Sequence, residues 1–208
     1  MQYAQGQRAV HRPGGCYRAS EEYTGARRGE EMSEPKGNKG LVMIYTGNGK
    51  GKTTAALGQL VRVSGWDWKV VMFQFIKGSK LAAGEHRAAK KLGLDLRPMG
   101  AGFTWNEKGQ EKAIALSLEQ WQRCKDTILS GDFKMVIMDE ISYPLTLGWI
   151  PTKDVIDTIK RRQEGTHVLM TGRDMPEDII ELADLVTEMK EIKHPFNEGI
   201  KAQKGIEF

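Results

Sequence analysis

The chain has 208 residues, of which 39% are hydrophobic and 28% charged, so a collagen-like or wholly disordered chain is excluded. Lys and Arg number 31 against 27 Asp and Glu, and this formal net charge of +4 is too slight and too evenly mixed with acids to predict a nucleic-acid partner. No apolar run approaches the roughly 20 residues of a membrane helix, so the sequence predicts no membrane partner.

Residues 1–40 differ from the rest of the chain. They are rich in glycine and in charges of both signs and show no helical or strand period, which predicts a disordered or weakly ordered arm. They contain no apolar segment of the kind that a secretory signal requires. Cys16 and Cys124 form no CxxC motif, and two unpaired thiols are typical of the reducing cytoplasm, where we expect the protein. Met32 resembles an ordinary protein start, which suggests the hypothesis that residues 1–31 come from an upstream start assignment.

From residue 41 onward, apolar runs of strand length alternate with longer stretches of helical period. The runs span residues 41–45, 70–76, 135–138 and 167–170. The helical stretches span residues 53–63, 85–92, 110–129 and 153–162, and Pro176 opens a further short helix with Asp174 as a possible N-cap. Near-continuous apolar strands that alternate with helices predict a parallel sheet covered on both faces, in one α/β domain over residues 41–208.

The strongest motif is the glycine-rich segment 46–54, which follows the first predicted strand and opens the first predicted helix. This context is the one that a phosphate-binding loop needs, because glycines let successive backbone N–H groups face a polyphosphate while the helix N-terminus adds partial positive charge. Lys52 is predicted to bridge phosphate oxygens, and Thr53 to ligate a metal through its hydroxyl. The predicted nucleotide-binding residues of this loop are Gly47, Asn48, Gly49, Lys50, Gly51, Lys52, Thr53 and Thr54.

The loop departs from the strict phosphate-loop pattern at one position. The pattern places a glycine five positions before Gly51, where this chain has Thr46, and the glycine comes one place later, at Gly47. We therefore interpret the loop as a variant.

Two carboxylates follow the third apolar run. An acid at the end of such a strand holds magnesium in P-loop proteins, directly or through water, so Asp139 and Glu140 are predicted metal ligands together with Thr53. Either carboxylate could instead be the general base of an ATPase or a kinase, and the residues alone do not separate these roles. They predict a nucleoside triphosphate and Mg²⁺ (or Mn²⁺), and fold alone does not choose the reaction.

Further clusters narrow the reaction. They are residues 74–78, the glycine-rich segment 100–105, residues 171–173, 183–189, 193–196 and 199–208. Together with the phosphate loop and the acidic strand end, they resemble the P-loop type of ATP:corrinoid adenosyltransferase, with all of these blocks in family order. The resemblance covers about residues 40–208 and implies a RecA-like three-layer sandwich with a mostly parallel central sheet.

The resemblance implies a nucleophilic attack on a carbon atom of ATP rather than on a phosphorus atom. The corrinoid cobalt, reduced to Co(I), attacks the 5′-carbon of ATP, and triphosphate leaves; Lys52, the loop N–H groups and Mg²⁺ would stabilise the growing charge on the leaving group. ATP and a reduced corrinoid are then co-substrates. The resemblance also implies a homodimer and an electron-donating flavoprotein or reduced flavin as partners.

Three further residues have candidate roles. By resemblance, Phe103 and Trp105 would displace the lower axial ligand of a Co(II) corrinoid and so ease its reduction, although large aromatic residues are more often core. Arg173 follows a predicted strand end, on the side where open α/β sheets bind ligands, and is a candidate phosphate or ribose contact. A kinase or ATPase, and a non-catalytic corrinoid-binding module, remain as alternative functions.

Overall fold

A computed structural model of the protein describes residues 39–78, 83–102 and 107–207. This part of the chain forms a six-stranded sheet. Its strands are β1 (Val42–Thr46), β2 (Val70–Gln74), β3 (Asp95–Pro98), β4 (Met135–Asp139), β5 (His167–Thr171) and β6 (Leu185–Glu188). The spatial order is β3-β2-β4-β5-β1-β6, and every neighbouring pair is parallel. The prediction of a mostly parallel central sheet is confirmed.

Helices connect the strands, as parallel pairing requires. They are α1 (Lys52–Ser64), α2 (Gly84–Leu92), α3 (Glu107–Ser130), α4 (Ser142–Thr146), α5 (Thr152–Lys160) and α6 (Glu177–Leu182), and a 3-10 helix (Pro195–Glu198) follows β6. All of the predicted helical stretches are found, with ends shifted by a few residues. None of the helices within the described ranges is long and apolar enough to cross a membrane.

The predicted cap of the last α-helix is wrong. The N-cap of α6 is Pro176, and Asp174 lies two residues before it. Asp174 has a φ of 48°, the left-handed conformation that Asp tolerates better than most residues in tight turns. It therefore belongs to the turn that follows β5, and its side chain does not cap the helix.

Both faces of the sheet are covered, which explains the nearly continuous apolar strands. On one face, strand residues such as Phe73 and Met138 pack in a buried cluster with Cys124 of α3. On the other face, Met72 and Ile137 pack with residues of α1. The prediction of a free, unpaired thiol is confirmed for Cys124, which is fully buried. Each fully buried aliphatic or aromatic side chain contributes about 1.5–3 kcal/mol to folding.

The two edge strands were missed by the sequence analysis. β3 has the sequence DLRP, and β6 has the sequence LVTE with all four residues exposed. Short, polar edge strands lack the apolar run that marks a strand buried on both faces, and they also limit unwanted edge pairing. The four predicted strands are therefore the inner ones, β1, β2, β4 and β5.

All strand ends that matter for function lie on one edge. Because the sheet is parallel, the turns after β1, β2, β4 and β5 leave it at the same carboxyl edge. The strand register places Gln74 beside Asp139 and Tyr45 beside Thr171 at this edge. The phosphate loop and the acidic strand end, which are far apart in the chain, are thereby brought together.

Candidate active site

A cleft of about 1490 Å³ opens at the carboxyl edge of the sheet. Both polar loops and apolar side chains contribute to its walls, as in most ligand sites. Its main walls are residues 49–54, 76–78, 98–102 and 205–207, together with Glu140 and Arg173.

Lys52 lies folded into the phosphate loop. Its Nζ donates hydrogen bonds to the carbonyl oxygens of Gly47 at 2.7 Å and Gly49 at 2.9 Å, and the residue is only 6% exposed. Burial lowers the pKa of this ammonium from its ordinary value, and the nearby Glu140 carboxylate opposes that shift. The lysine is therefore a cation held in a partly desolvated position, where its charge acts strongly on an anion.

The loop's departure from the strict glycine pattern has a steric explanation. Gly47 has a φ of +90°, and a Cβ at this position would lie 2.6 Å from the carbonyl oxygen of Met189. Gly49 is equally crowded by Met189, whose carbonyl accepts its N–H at 2.6 Å. Thr46, by contrast, is still a β1 residue and pairs with Glu188, so it needs no left-handed backbone.

Asp139 is the centre of a buried hydrogen-bond network. Its Oδ1 accepts from Thr53 Oγ1 at 2.9 Å and Thr171 Oγ1 at 2.7 Å, and its Oδ2 accepts from Gln74 Nε2 at 3.2 Å. The side chain is almost completely buried, and burial raises the pKa of Asp139 although these hydrogen bonds oppose the rise. Asp139 therefore acts on the cleft through Thr53, which lies between them.

Glu140 is placed differently from its neighbour. Its φ of 59° is the left-handed conformation, which is strained for a residue that is not glycine, and its N–H donates to Thr171 Oγ1 at 3.0 Å. This turn aims Glu140 at the cleft that it lines. Burial and the adjacent Asp139 raise the pKa of Glu140, while Lys52 and Arg173 oppose the rise.

The donor set fits a hard divalent cation. A threonine hydroxyl and two carboxylates offer only oxygen, which is what Mg²⁺ and Mn²⁺ prefer. The described residues contain no group of three or more His, Cys, Asp or Glu side chains that could hold a metal by themselves. A magnesium ion at Thr53 would therefore take most of its ligands from phosphate and water, as is usual for this ion beside a nucleotide.

The structure brings together most of the predicted site residues. Glu140, Arg173 and the loop from Gly49 to Thr54 line one cleft. Gly47 and Asn48 lie outside its lining, and Gly47 instead supplies a carbonyl to Lys52. Phe103 and Trp105 lie outside the described residues.

The segment before Phe103 is held by backbone contacts. The N–H groups of Gly100 and Gly102 donate to the carbonyls of Lys77 at 3.0 Å and Ile76 at 2.9 Å. A Cβ at Gly100 would lie 2.0 Å from the Ile76 carbonyl oxygen, so only glycine allows this approach. Residues 98–102 are thereby fixed against the loop after β2 and form the second wall of the cleft.

Two parts of the site lie in blocks that the sequence singled out without assigning them a role. Gln74 is completely buried and supports Asp139; its signal was a polar residue at the end of an otherwise apolar strand. Residues 205–207 line the cleft beside the phosphate loop, and their block was noticed in the sequence without any role being assigned to it.

Residues 38–208 match the family described as ATP:corrinoid adenosyltransferase BtuR/CobO/CobP. The chain belongs to this family. A corrinoid adenosyltransferase of Sinorhizobium sp is 40% identical over 187 residues, which cover 88% of this chain and 87% of that protein. The corrinoid adenosyltransferase of Escherichia coli (strain K12) is 37% identical over 177 residues, which cover 85% and 90%.

The fold of this family member is also found in a solved structure. The flagellar accessory protein FlaH of Methanocaldococcus jannaschii superposes with a TM-score of 0.51 at 14% identity, over 73% of this chain and 71% of that one. At this identity the likeness concerns the fold alone. It supports the predicted P-loop α/β architecture of the corrinoid adenosyltransferase.

Proposed function

We propose that the cleft is where this corrinoid adenosyltransferase transfers the 5′-deoxyadenosyl group of ATP to the Co(I) of a corrinoid. Triphosphate is released, and the product is adenosylcobalamin or an adenosylated precursor. The observation that carries the assignment is the phosphate loop, with Lys52 folded into it, in the same cleft as the glycine-rich segment 98–102. One cleft thus has room for a polyphosphate on one side and a large second substrate on the other.

The nucleotide half binds the triphosphate of ATP. The loop N–H groups and the N-terminus of α1 supply positive potential, and Lys52 adds a full charge. Arg173 lines the same half and is exposed, so its guanidinium can reach a phosphate or the ribose. The loop residues in this role are Gly47, Asn48, Gly49, Lys50, Gly51, Lys52, Thr53 and Thr54.

Thr53, Asp139 and Glu140 would hold Mg²⁺ (or Mn²⁺) on the triphosphate, with Asp139 acting through the Thr53 hydroxyl that it orients. When bound, the ion supplies charge neutralisation to a departing polyanion. Thr171 and Gln74 keep the Asp139 carboxylate aligned for this task.

The chemistry makes no demand for a general base. Co(I) carries no proton to be removed, so its attack on the 5′-carbon forms the cobalt–carbon bond as the bond to the triphosphate oxygen breaks. Negative charge grows on the leaving oxygen, so Lys52 interacts more strongly with the transition state than with bound ATP. Glu140 is therefore assigned to the metal, and not to water activation as in an ATPase.

The other half of the cleft binds the corrinoid. We assign Phe103 and Trp105 to the lower face of the corrin ring, where apolar side chains would exclude the axial ligand and ease reduction of Co(II). The support is the position of residues 100–102, which line the cleft and are fixed to the loop after β2. An electron-donating flavoprotein or reduced flavin would supply the electron.

The remaining expectations concern the whole protein. We propose a cytoplasmic homodimer in which residues 41–208 form the transferase domain and residues 1–40 an arm. The family match over residues 38–208 supports this division.

Anaerobic incubation with MgATP and prereduced cob(I)alamin tests the function. We expect a light-sensitive adenosylated product with one inorganic triphosphate released per turnover. Without a light-sensitive product, ADP with inorganic phosphate would instead indicate an ATPase, and ADP with a phosphorylated acceptor would indicate a kinase. Corrinoid binding without any turnover would indicate a binding module.

A further inference from the structure

Residues 205–207 reach the phosphate loop from the far end of the chain. The N–H groups of Ile206 and Glu207 donate to the Gln203 carbonyl at 3.1 Å and 2.9 Å, and Gly205 has a φ of +82°. These contacts form a tight turn that needs a glycine. The turn places Glu207 in the lining of the cleft, in contact with Lys50 of the phosphate loop.

Glu207 is ion-paired with Lys50. The Lys50 Nζ donates to Glu207 Oε2, with the lysine side chain 59% exposed and the glutamate side chain 18% exposed. The hydrogen bond from Lys50 lowers the pKa of Glu207, so the carboxylate is ionised at neutral pH. Because the lysine is largely exposed, this ion pair adds little to folding stability. Its effect is on the charge that the phosphate loop offers to a ligand.

The two lysines of the loop are therefore held by different partners. Lys52 points inward and binds the loop's own carbonyls, so nothing anionic within the described residues is hydrogen-bonded to it. Lys50 points outward and is bound by a carboxylate. A triphosphate that enters the loop must draw Lys50 away from Glu207 or share it with a like charge, and either event weakens its binding.

We propose that Glu207 competes with the triphosphate for the Lys50 ammonium and thereby limits how tightly the enzyme retains its triphosphate product. This role rests on the proposed function, since it requires a triphosphate in the loop. A departing triphosphate carries more charge than the α-esterified chain of ATP, so competition from Glu207 acts most strongly on the product. Glu207 thus assists the release of triphosphate.

Calorimetric titration with inorganic triphosphate and Mg²⁺ tests the competition. The variant Glu207→Gln keeps the shape and a neutral acceptor for Lys50 while removing the competing charge. We expect its triphosphate dissociation constant to fall about two- to fivefold, the range that an exposed ion pair allows. In a Lys50→Met background, the same Glu207→Gln change should have no effect.

The matched control is Glu198→Gln. Glu198 is ion-paired with Lys193 at 2.9 Å in the same part of the chain, and it does not line the cleft. Its removal should leave the triphosphate dissociation constant unchanged. Weaker or unchanged triphosphate binding in Glu207→Gln, or an equal gain in the Lys50→Met background, would overturn the proposal.

The adenosylation assay on the same samples separates this proposal from the function on which it rests. If the wild-type protein forms no adenosylated corrinoid but Glu207→Gln still tightens triphosphate binding through Lys50, the transferase assignment fails and the competition stands. If adenosylation proceeds and triphosphate affinity does not respond to Glu207→Gln, the competition fails alone.

Discussion

The two halves of the cleft are built by different means. In the half that we propose for the nucleotide, charged side chains provide the contacts to the ligand. Buried hydrogen bonds, such as those on Asp139, set the positions of these side chains. In the half that we propose for the corrinoid, residues 98–102 are held by backbone contacts to the loop after β2. Substitutions in the first half should therefore affect the transfer step for every corrinoid. Substitutions in the second should depend on the oxidation state of cobalt or on corrinoid affinity.

The largest effect is expected from Lys52→Met. This change removes the ammonium that is hydrogen-bonded to the carbonyls of Gly47 and Gly49, and with it the proposed stabilisation of the leaving triphosphate. We expect kcat/KM to fall about 10²- to 10³-fold, as for other preorganised charge stabilisers. The loss should be equal when the assay starts from prereduced cob(I)alamin and from cob(II)alamin with a reductant.

The control for Lys52→Met is its thermal midpoint. Methionine loses the two hydrogen bonds of Lys52 to the loop carbonyls but also removes a partly desolvated charge, whose pKa burial lowers, so we expect only a small change in the midpoint. A large drop would assign the lost activity to misfolding. If Lys52→Met lost activity only with cob(II)alamin, Lys52 would act in cobalt reduction, and the proposed division of roles between the two halves of the cleft would be wrong.

A smaller and more selective effect is expected from Phe103→Ala and Trp105→Ala. With cob(II)alamin and a reductant, turnover should fall about tenfold, equivalent to ~1.4 kcal/mol in the barrier. With prereduced cob(I)alamin it should change little, because the axial ligand is already absent. Trp66→Ala is the matched control, since Trp66 is 64% exposed in the turn after α1. Equal losses on the two substrates would remove the proposed role in reduction.

The strand–loop–helix arrangement of residues 42–64 and the strand that ends at Asp139 could be predicted from sequence, because local patterns specify both. A glycine-rich turn between β1 and α1 specifies the path of its own backbone, and Asp139 ends an apolar run that only a buried strand explains. The inner strands were also predictable, since burial on both faces requires continuous apolar residues. Within the nucleotide half, the sequence left the support of Asp139 by Gln74 and the approach of residues 205–207 unassigned, and the predicted cap of α6 was wrong.

Long-range contacts could not be predicted in this way. Gly47 and Gly49 are required by the approach of Met189, which comes from the other end of the chain, and the crowding is visible only in three dimensions. The same holds for Glu207 beside Lys50. β3 and β6 were missed because edge strands need no apolar pattern. They form because their backbones pair with β2 and β1, and their composition does not indicate this pairing.

The smallest effects on turnover are expected from glycine substitutions in the corrinoid half. A Cβ in Gly100→Ala would lie 2.0 Å from the Ile76 carbonyl oxygen, so the backbone of residues 98–102 must move away from the loop after β2. Overpacking of this kind costs about 1–3 kcal/mol in the free energy of unfolding, measurable by urea denaturation. Because residues 98–102 line the cleft, their displacement should raise KM for the corrinoid several-fold, while KM for ATP stays constant.

Gly102→Ala and Gly93→Ala complete that comparison. Both glycines have positive φ and no neighbouring atom within 4 Å of an added Cβ, so each alanine should cost about 1 kcal/mol from backbone strain alone. Gly93 ends α2 and does not line the cleft, so its substitution should leave both KM values unchanged. If Gly100→Ala raised KM for ATP as much as KM for the corrinoid, residues 98–102 would belong to both substrates. The division of the cleft into two halves would then have to be given up.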